Sequence, residues 1–152
     1  MKLTTKLDVE APLDFVYGYL SDFDQFERLA ARRGAKVELE GPEGVGRVWT
    51  IRFKAKGKQR NVKLQLTHLV AEAVIGLALD STLFSGVSQI DMVRLGAAKT
   101  RLVMGVEFKP KTLGARIFIQ SLKLARGRVQ KRLDKRAGKL GKMIEGQWRA
   151  LV

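Results

Sequence analysis

The 152-residue chain has no cysteine and a single histidine, His68. Without thiols there is no disulfide framework and no thiolate nucleophile. One histidine and no cysteine also exclude the usual structural and catalytic zinc sites. No apolar run approaches the ~20 residues that a bilayer-spanning helix needs. Met1 to Glu10 alternates charged and apolar residues, a pattern unlike a signal peptide, so a cytoplasmic location is expected. Acidic residues are scarce, 15 against 29 lysines and arginines, for a net charge of +14. Residues 111–152 carry 12 of the basic residues against only Asp134 and Glu145, a local charge of +10. A strongly basic chain points to anionic partners: a membrane surface, a nucleic acid or an acidic ligand.

What is present is an apolar fraction of 45%, enough for a real core in one domain spanning 1–152. The last quarter carries the clearest pattern. Phe118, Leu122, Ala125, Val129, Leu133, Ala137, Leu140 and Ile144 recur at steps of three and four, one apolar stripe of helical period. The spacing predicts one helix over 112–146, about 50 Å long, with Pro110 ending the strand before it and Gly146 as its C-terminal cap.

The chain before it changes period. Leu3, Leu7 and Val9 alternate with charged residues in a first strand. Ala11-Pro12 opens a short helix with Leu13, Val16, Tyr17 and Leu20 on one side, and Asp22 with Gln25 has the spacing of a helix start for a second, from Phe23 to about Arg33. From Ala35 to Lys109 the period is two. Trp49, Ile51 and Phe53 share a face, as do Val62, Leu64, Leu66, His68 and Val70 across the Lys56-Gly57-Lys58 tip. Ile75, Leu77 and Leu79 follow, then a strand over 86–95 without a clear facing. Leu102, Met104, Val106 and Phe108 form the last. Tight turns between strands imply an antiparallel sheet with one covered side.

The order strand, two short helices, six strands and long helix comes with two local stretches, Val9-Glu10-Ala11-Pro12-Leu13-Asp14-Phe15-Val16-Tyr17 and Leu20-Ser21-Asp22-Phe23-Asp24-Gln25-Phe26. Together with the turn Gly44-Val45-Gly46-Arg47 they resemble the START-like (SRPBCC) superfamily. That group includes the plant pollen-allergen proteins of the Bet v 1 type, the polyketide cyclase/dehydrase and lipid-transport proteins, and coenzyme-Q-binding proteins. The resemblance implies an α+β helix-grip fold: a seven-stranded antiparallel sheet wrapped around a long C-terminal helix, with two short helices between strands 1 and 2 and a hydrophobic cavity between sheet and helix. Members carry lipids, sterols, quinones or hormones, and some are enzymes, so the fold leaves function open.

The expected ligand surface is therefore the sheet face Trp49, Ile51, Phe53, Leu64, Leu66, Leu77, Leu102, Met104 and Val106 with the helix face Phe118, Leu122 and Val129. Three polar residues fall on those faces. His68 would be a pocket base or a half-buried structural histidine, and no orienting carboxylate is visible beside it. Arg126 and Arg136 fall within the arc of the apolar stripe. Each would anchor a ligand carboxylate or phosphate, or pack its stem and send its head to water or to Asp22, Asp24 or Glu27. Asp80, Gln89 and Asp91 are the other polar residues within reach, and they form no readable acid–base pair. No catalytic set, metal site or cofactor is read.

The basic hairpin (Arg52, Lys54, Lys56, Lys58, Arg60, Lys63) and the basic face of the helix read first as solvated surface, second as a dock for anionic membrane, third as a nucleic-acid contact. Three functions follow in order: a carrier of a hydrophobic small molecule, a cyclase- or hydrolase-type enzyme using the same cavity, and a basic adaptor. Ligand identity and oligomeric state are not encoded in any readable motif.

Overall fold

In the computed structural model, which describes residues 1–152, the alternating segments become seven strands: β1 (Lys2–Val9), β2 (Lys36–Glu40), β3 (Val48–Ala55), β4 (Lys58–Val70), β5 (Val74–Asp80), β6 (Phe84–Gly96) and β7 (Lys99–Pro110). All neighbours are antiparallel, in the order β1-β7-β6-β5-β4-β3-β2. Two short helices, α1 (Leu13–Leu20) and α2 (Phe23–Arg32), follow β1, and the chain closes with α3 (Leu113–Leu124) and α4 (Arg126–Leu151). This is the helix-grip arrangement that the resemblance implies.

Register decides which side chains meet. Leu3, Val106, Ser88, Leu77 and Leu66 stand in one row across five strands, and Thr5, Met104 and Ile90 in the next. These rows form the inner face, under the terminal helices. At the α1 end they close into a packed core. Val9, Val16, Tyr19, Leu20, Trp49, Leu66, Leu102 and Ile144 are all buried there. The α2 start forms as its sequence predicts, with the Asp22 carboxylate accepting the Gln25 amide at 3.2 Å.

Two features of the terminal helix differ from expectation. The helix bends at Ala125 (φ −103°, ψ 25°), whose amide is shared between the carbonyls of Ser121 and Leu122. The halves serve different strands: α3 packs on β7 and α4 on β1. Gly127, just past the bend, lowers the cost of interrupting the helix. The helix also runs past Gly146 to Leu151, because Trp148 packs on Phe15 with ring centroids 5.2 Å apart and holds the last turns.

α4 runs alongside β1 in the same direction. Arg126 donates to the Lys2 carbonyl (3.0 Å), Gln130 to the Thr4 carbonyl (2.8 Å), and the Thr5 hydroxyl to Asp134 (2.8 Å). Further along, the Glu10 amide donates to Glu145 (2.8 Å). From Lys2 to Glu10 a strand advances about 26 Å, and from Arg126 to Glu145 a helix advances about 28 Å, so the two stay in step. β1 is an edge strand, and Arg126 and Gln130 satisfy carbonyls on its free edge.

Candidate functional site

The inner-face rows that α1 does not fill leave a cavity of about 260 Å³ between the sheet and α4. Its sheet wall is Leu3, Thr5, Ser88, Ile90, Met104 and Val106; its helix wall is Leu133, Arg136, Ala137 and Leu140. A second, wholly apolar hollow of about 130 Å³ lies under α3, bounded by Met1, Phe84, Phe108, Phe118, Ile119 and Leu122. Its aromatic wall is Phe84 set edge-on to Phe108 (6.5 Å) and Phe118 (6.1 Å).

Polar groups at the larger cavity are few. Thr5 and Gln130 (2.9 Å) both donate to Asp134, which is thereby engaged at the helix edge. Arg136 is exposed at the rim and makes neither an ion pair nor a hydrogen bond with the protein. Every buried side-chain nitrogen and oxygen has a partner, so the interior holds no unsatisfied polar group aimed at a ligand. The walls are mainly apolar, with Thr5, Ser88 and Arg136 as the polar side chains that line them.

The residues expected to line one large cavity divide into several groups. Met104, Val106 and Arg136 line the 260 Å³ cavity, and Phe118 and Leu122 the smaller one. Trp49, Leu66 and Leu102 are buried in the packed core, with Ile51, Leu64 and Leu77 packed against it. Phe53 is half-buried beside a basic hollow containing Arg33, Lys36, Arg52 and Lys54. Val129 is half-buried on α4. Arg126 serves the β1 edge through the Lys2 carbonyl.

His68 lies on the opposite, outer face. A β-bulge between Leu66 and His68 inserts Thr67, so Leu66 pairs with Leu77 but His68 with Gly76. A one-residue insertion reverses every later side chain. Leu69 therefore turns inward to the core and Val70 outward to solvent. The histidine is exposed, with Nδ1 3.0 Å from the Thr67 hydroxyl. Gln89 and Asp91 share that outer face and bond to each other (3.1 Å). Asp80 pairs with Lys111 at 2.9 Å.

Leu3, Thr5, Ser88, Ile90, Leu133, Ala137 and Leu140 are liners that the expected set leaves out. Leu3, Leu133, Ala137 and Leu140 lie on the alternation or stripe that defines their elements. Ser88 has no such signal, because 86–95 shows no clean alternation.

Comparison with known proteins agrees with this fold. The family described as polyketide cyclase / dehydrase and lipid transport matches residues 1–145. Curated protein sequences yield no match. Solved structures of similar fold include the Zhui aromatase/cyclase from Streptomyces sp. R1128 (TM-score 0.66, 17% identity, 98% of this chain and 93% of that one). Truncated norcoclaurine synthase from Thalictrum flavum gives a TM-score of 0.68 at 17% identity, covering 95% and 92%. A START superfamily protein from Mycobacterium smegmatis gives 0.61 at 17% identity, covering 99% of each chain. At such identities the likeness establishes the shared fold, while the match over residues 1–145 establishes descent: the chain belongs to the polyketide cyclase/dehydrase and lipid transport family.

Proposed function

We propose that the protein binds and carries a small hydrophobic molecule between its sheet and α4. The observation that carries this reading is the cavity of about 260 Å³ walled by Leu3, Ile90, Met104, Val106, Leu133 and Leu140, with a single free cation, Arg136, at its rim. Its volume suits a compact guest or one segment of a longer chain, since pockets for drug-sized molecules span about 300–1,000 Å³. An apolar body inside and a polar end near Arg136 is the arrangement such walls favour.

The family also contains cyclases. General acid–base chemistry would need a titratable pair facing the guest. Here the only histidine faces outward, and Asp134 is engaged by Thr5 and Gln130. Carriage is therefore the reading this cavity supports.

Native mass spectrometry of freshly purified protein, followed by titration with medium-chain fatty acids and alcohols, tests it. The wild type should bind one equivalent. Ser88→Leu, which fills the cavity from β6, should lower the affinity about tenfold or more, the scale of losing several buried methylenes. Unchanged affinity in that variant would place the guest elsewhere.

A further inference from the structure

The helix α3 is apolar on two opposite sides. Ala115 and Ile119 are buried against the sheet, with Leu122 beside them. Leu113, Ile117 and Leu124, at steps of four and seven residues, lie on the far side of the helix. They are 73%, 57% and 92% exposed. A surface helix ordinarily turns charge to solvent on that side. Here exposed Gln120 is the one polar residue along the stripe, whose flanks are Arg116 and Lys123 on one side and Gly114 and Ser121 on the other, and neither cation has an ion-pair partner. The chain on either side is basic, with Lys111 alone paired, to Asp80 of β5. Between Glu107 and Asp134 there is no acidic residue and there are eight lysines and arginines.

We propose that α3 docks the protein on anionic lipid bilayers. Leu113, Ile117 and Leu124 enter the boundary between headgroups and acyl chains, and Arg116 and Lys123 meet lipid phosphates. An amphipathic surface helix with aliphatic side chains below and cations beside them has the make-up of an interfacial anchor. A second copy of this chain would bring the same basic surroundings face to face, which repulsion opposes. The stripe is aliphatic and offers no ring for stacking on nucleic-acid bases. The inference is independent of the carrier reading. It uses the side of α3 turned away from both cavities.

The test is co-sedimentation of the full chain with vesicles of phosphatidylcholine alone and of phosphatidylcholine mixed with phosphatidylglycerol. The wild type should prefer the mixed vesicles at least about tenfold, and part of that binding should survive high salt, because insertion is not screened. The triple variant Leu113→Ser/Ile117→Ser/Leu124→Ser should lose the salt-resistant part. Arg116→Gln/Lys123→Gln should lose several-fold at low salt. Val45→Ser, an exposed apolar change in a distant loop, should bind as wild type. Since all three serines replace exposed residues, the thermal midpoint of the triple variant should fall by no more than the small helix-propensity cost of the changes, which separates lost docking from lost folding. In an Ile117→Trp protein, mixed vesicles should shift the added emission to the blue and brominated lipid should quench it. Equal binding of the triple variant and wild type would overturn the proposal. So would equal affinity for the two vesicle types, or a wild-type dimer that the serines convert to monomer.

Discussion

The indole Nε1–H of Trp49 donates to the Glu27 carboxylate at 2.7 Å, tying β3 to α2. That bond matters because α2 buries none of its own residues. Its aromatic ties are Phe23 against Trp49 (5.3 Å) and Phe26 edge-on to Tyr19 (6.4 Å). Glu27→Ala strands a buried indole N–H, so we expect a loss of about 1–3 kcal/mol in urea unfolding. Glu27→Gln keeps an acceptor and should recover most of it. Equal losses in the two variants would show that the hydrogen bond is not what secures α2.

Arg136 offers a test of the proposed guest site. Arg136→Met keeps the stem and removes the charge. If the guanidinium meets the head of the guest, a fatty acid should lose roughly tenfold more affinity than the matching alcohol, the scale of one charge-assisted hydrogen bond. Because Arg136 has no partner within the protein, the unfolding midpoint should hold level or rise slightly. Equal losses for acid and alcohol would reduce Arg136 to a bystander at the rim while leaving the apolar cavity as the site.

Gly141 and Gly138 make a matched pair on α4. A Cβ at Gly141 would come within 2.7 Å of Leu7 Cδ1 and 3.7 Å of Val9 Cγ2, so the glycine lets α4 lie close on β1. Gly141→Val should cost about 1–3 kcal/mol by overpacking. Nothing lies within 4 Å of the corresponding position at Gly138. Gly138→Ala should therefore stabilise by up to about 1 kcal/mol through helix propensity alone. Thermal or denaturant melts of the two variants should move in opposite directions.

The Asp8–Arg101 pair sets a pH dependence of known sign. Arg101 Nε donates to Asp8 at 2.8 Å, and that hydrogen bond, with help from Arg101, Lys99 and Lys6 as nearby charges, holds the carboxyl below its usual range. The native state then binds this proton less readily than the unfolded chain does. The contribution is full above the ordinary aspartate pKa and is lost as pH falls through the lower native value. The pair is open to solvent, so its effect should be small. Asp8→Asn should lower stability slightly at neutral pH, converge with the wild type at low pH, and so flatten the acid limb of the stability curve. A steeper acid limb in the variant would contradict the assignment.

Alternation along β1, β3 and β7 assigns Leu3, Trp49, Ile51, Leu102, Met104 and Val106 to one face, and the strand register puts them there. The same reasoning reverses His68, because a bulge leaves no compositional mark: Thr67 is neither glycine nor proline. The one legible trace is the adjacency of Leu69 to Val70, where the apolar phase shifts by one. The bend at Ala125 is hidden for a different reason. Alanine is the best helix former, and the bend comes from two halves packing on two strands.

Packed core and cavity are indistinguishable in sequence. Leu66 and Met104 carry the same signal, yet Leu66 joins the packed cluster to which α1 contributes Val16, Tyr19 and Leu20, while Met104 faces the hollow beside α4.

The position of β1 has a consequence for how the chain comes to be made. Its only strand neighbour is β7, and the helix along its free edge is α4. Thr5 meets a residue 129 positions away, and Lys2 one 124 positions away. On the ribosome the first strand emerges first and finds both its companions last. Long-range pairing of this kind slows folding and leaves a strand waiting in the open. Lys2, Lys6 and Asp8, alternating along that strand, give the nascent segment charges that discourage it from recruiting a strand of another chain. What looks in the finished fold like an ordinary solvated face is also what keeps the segment solitary until α4 has been synthesised.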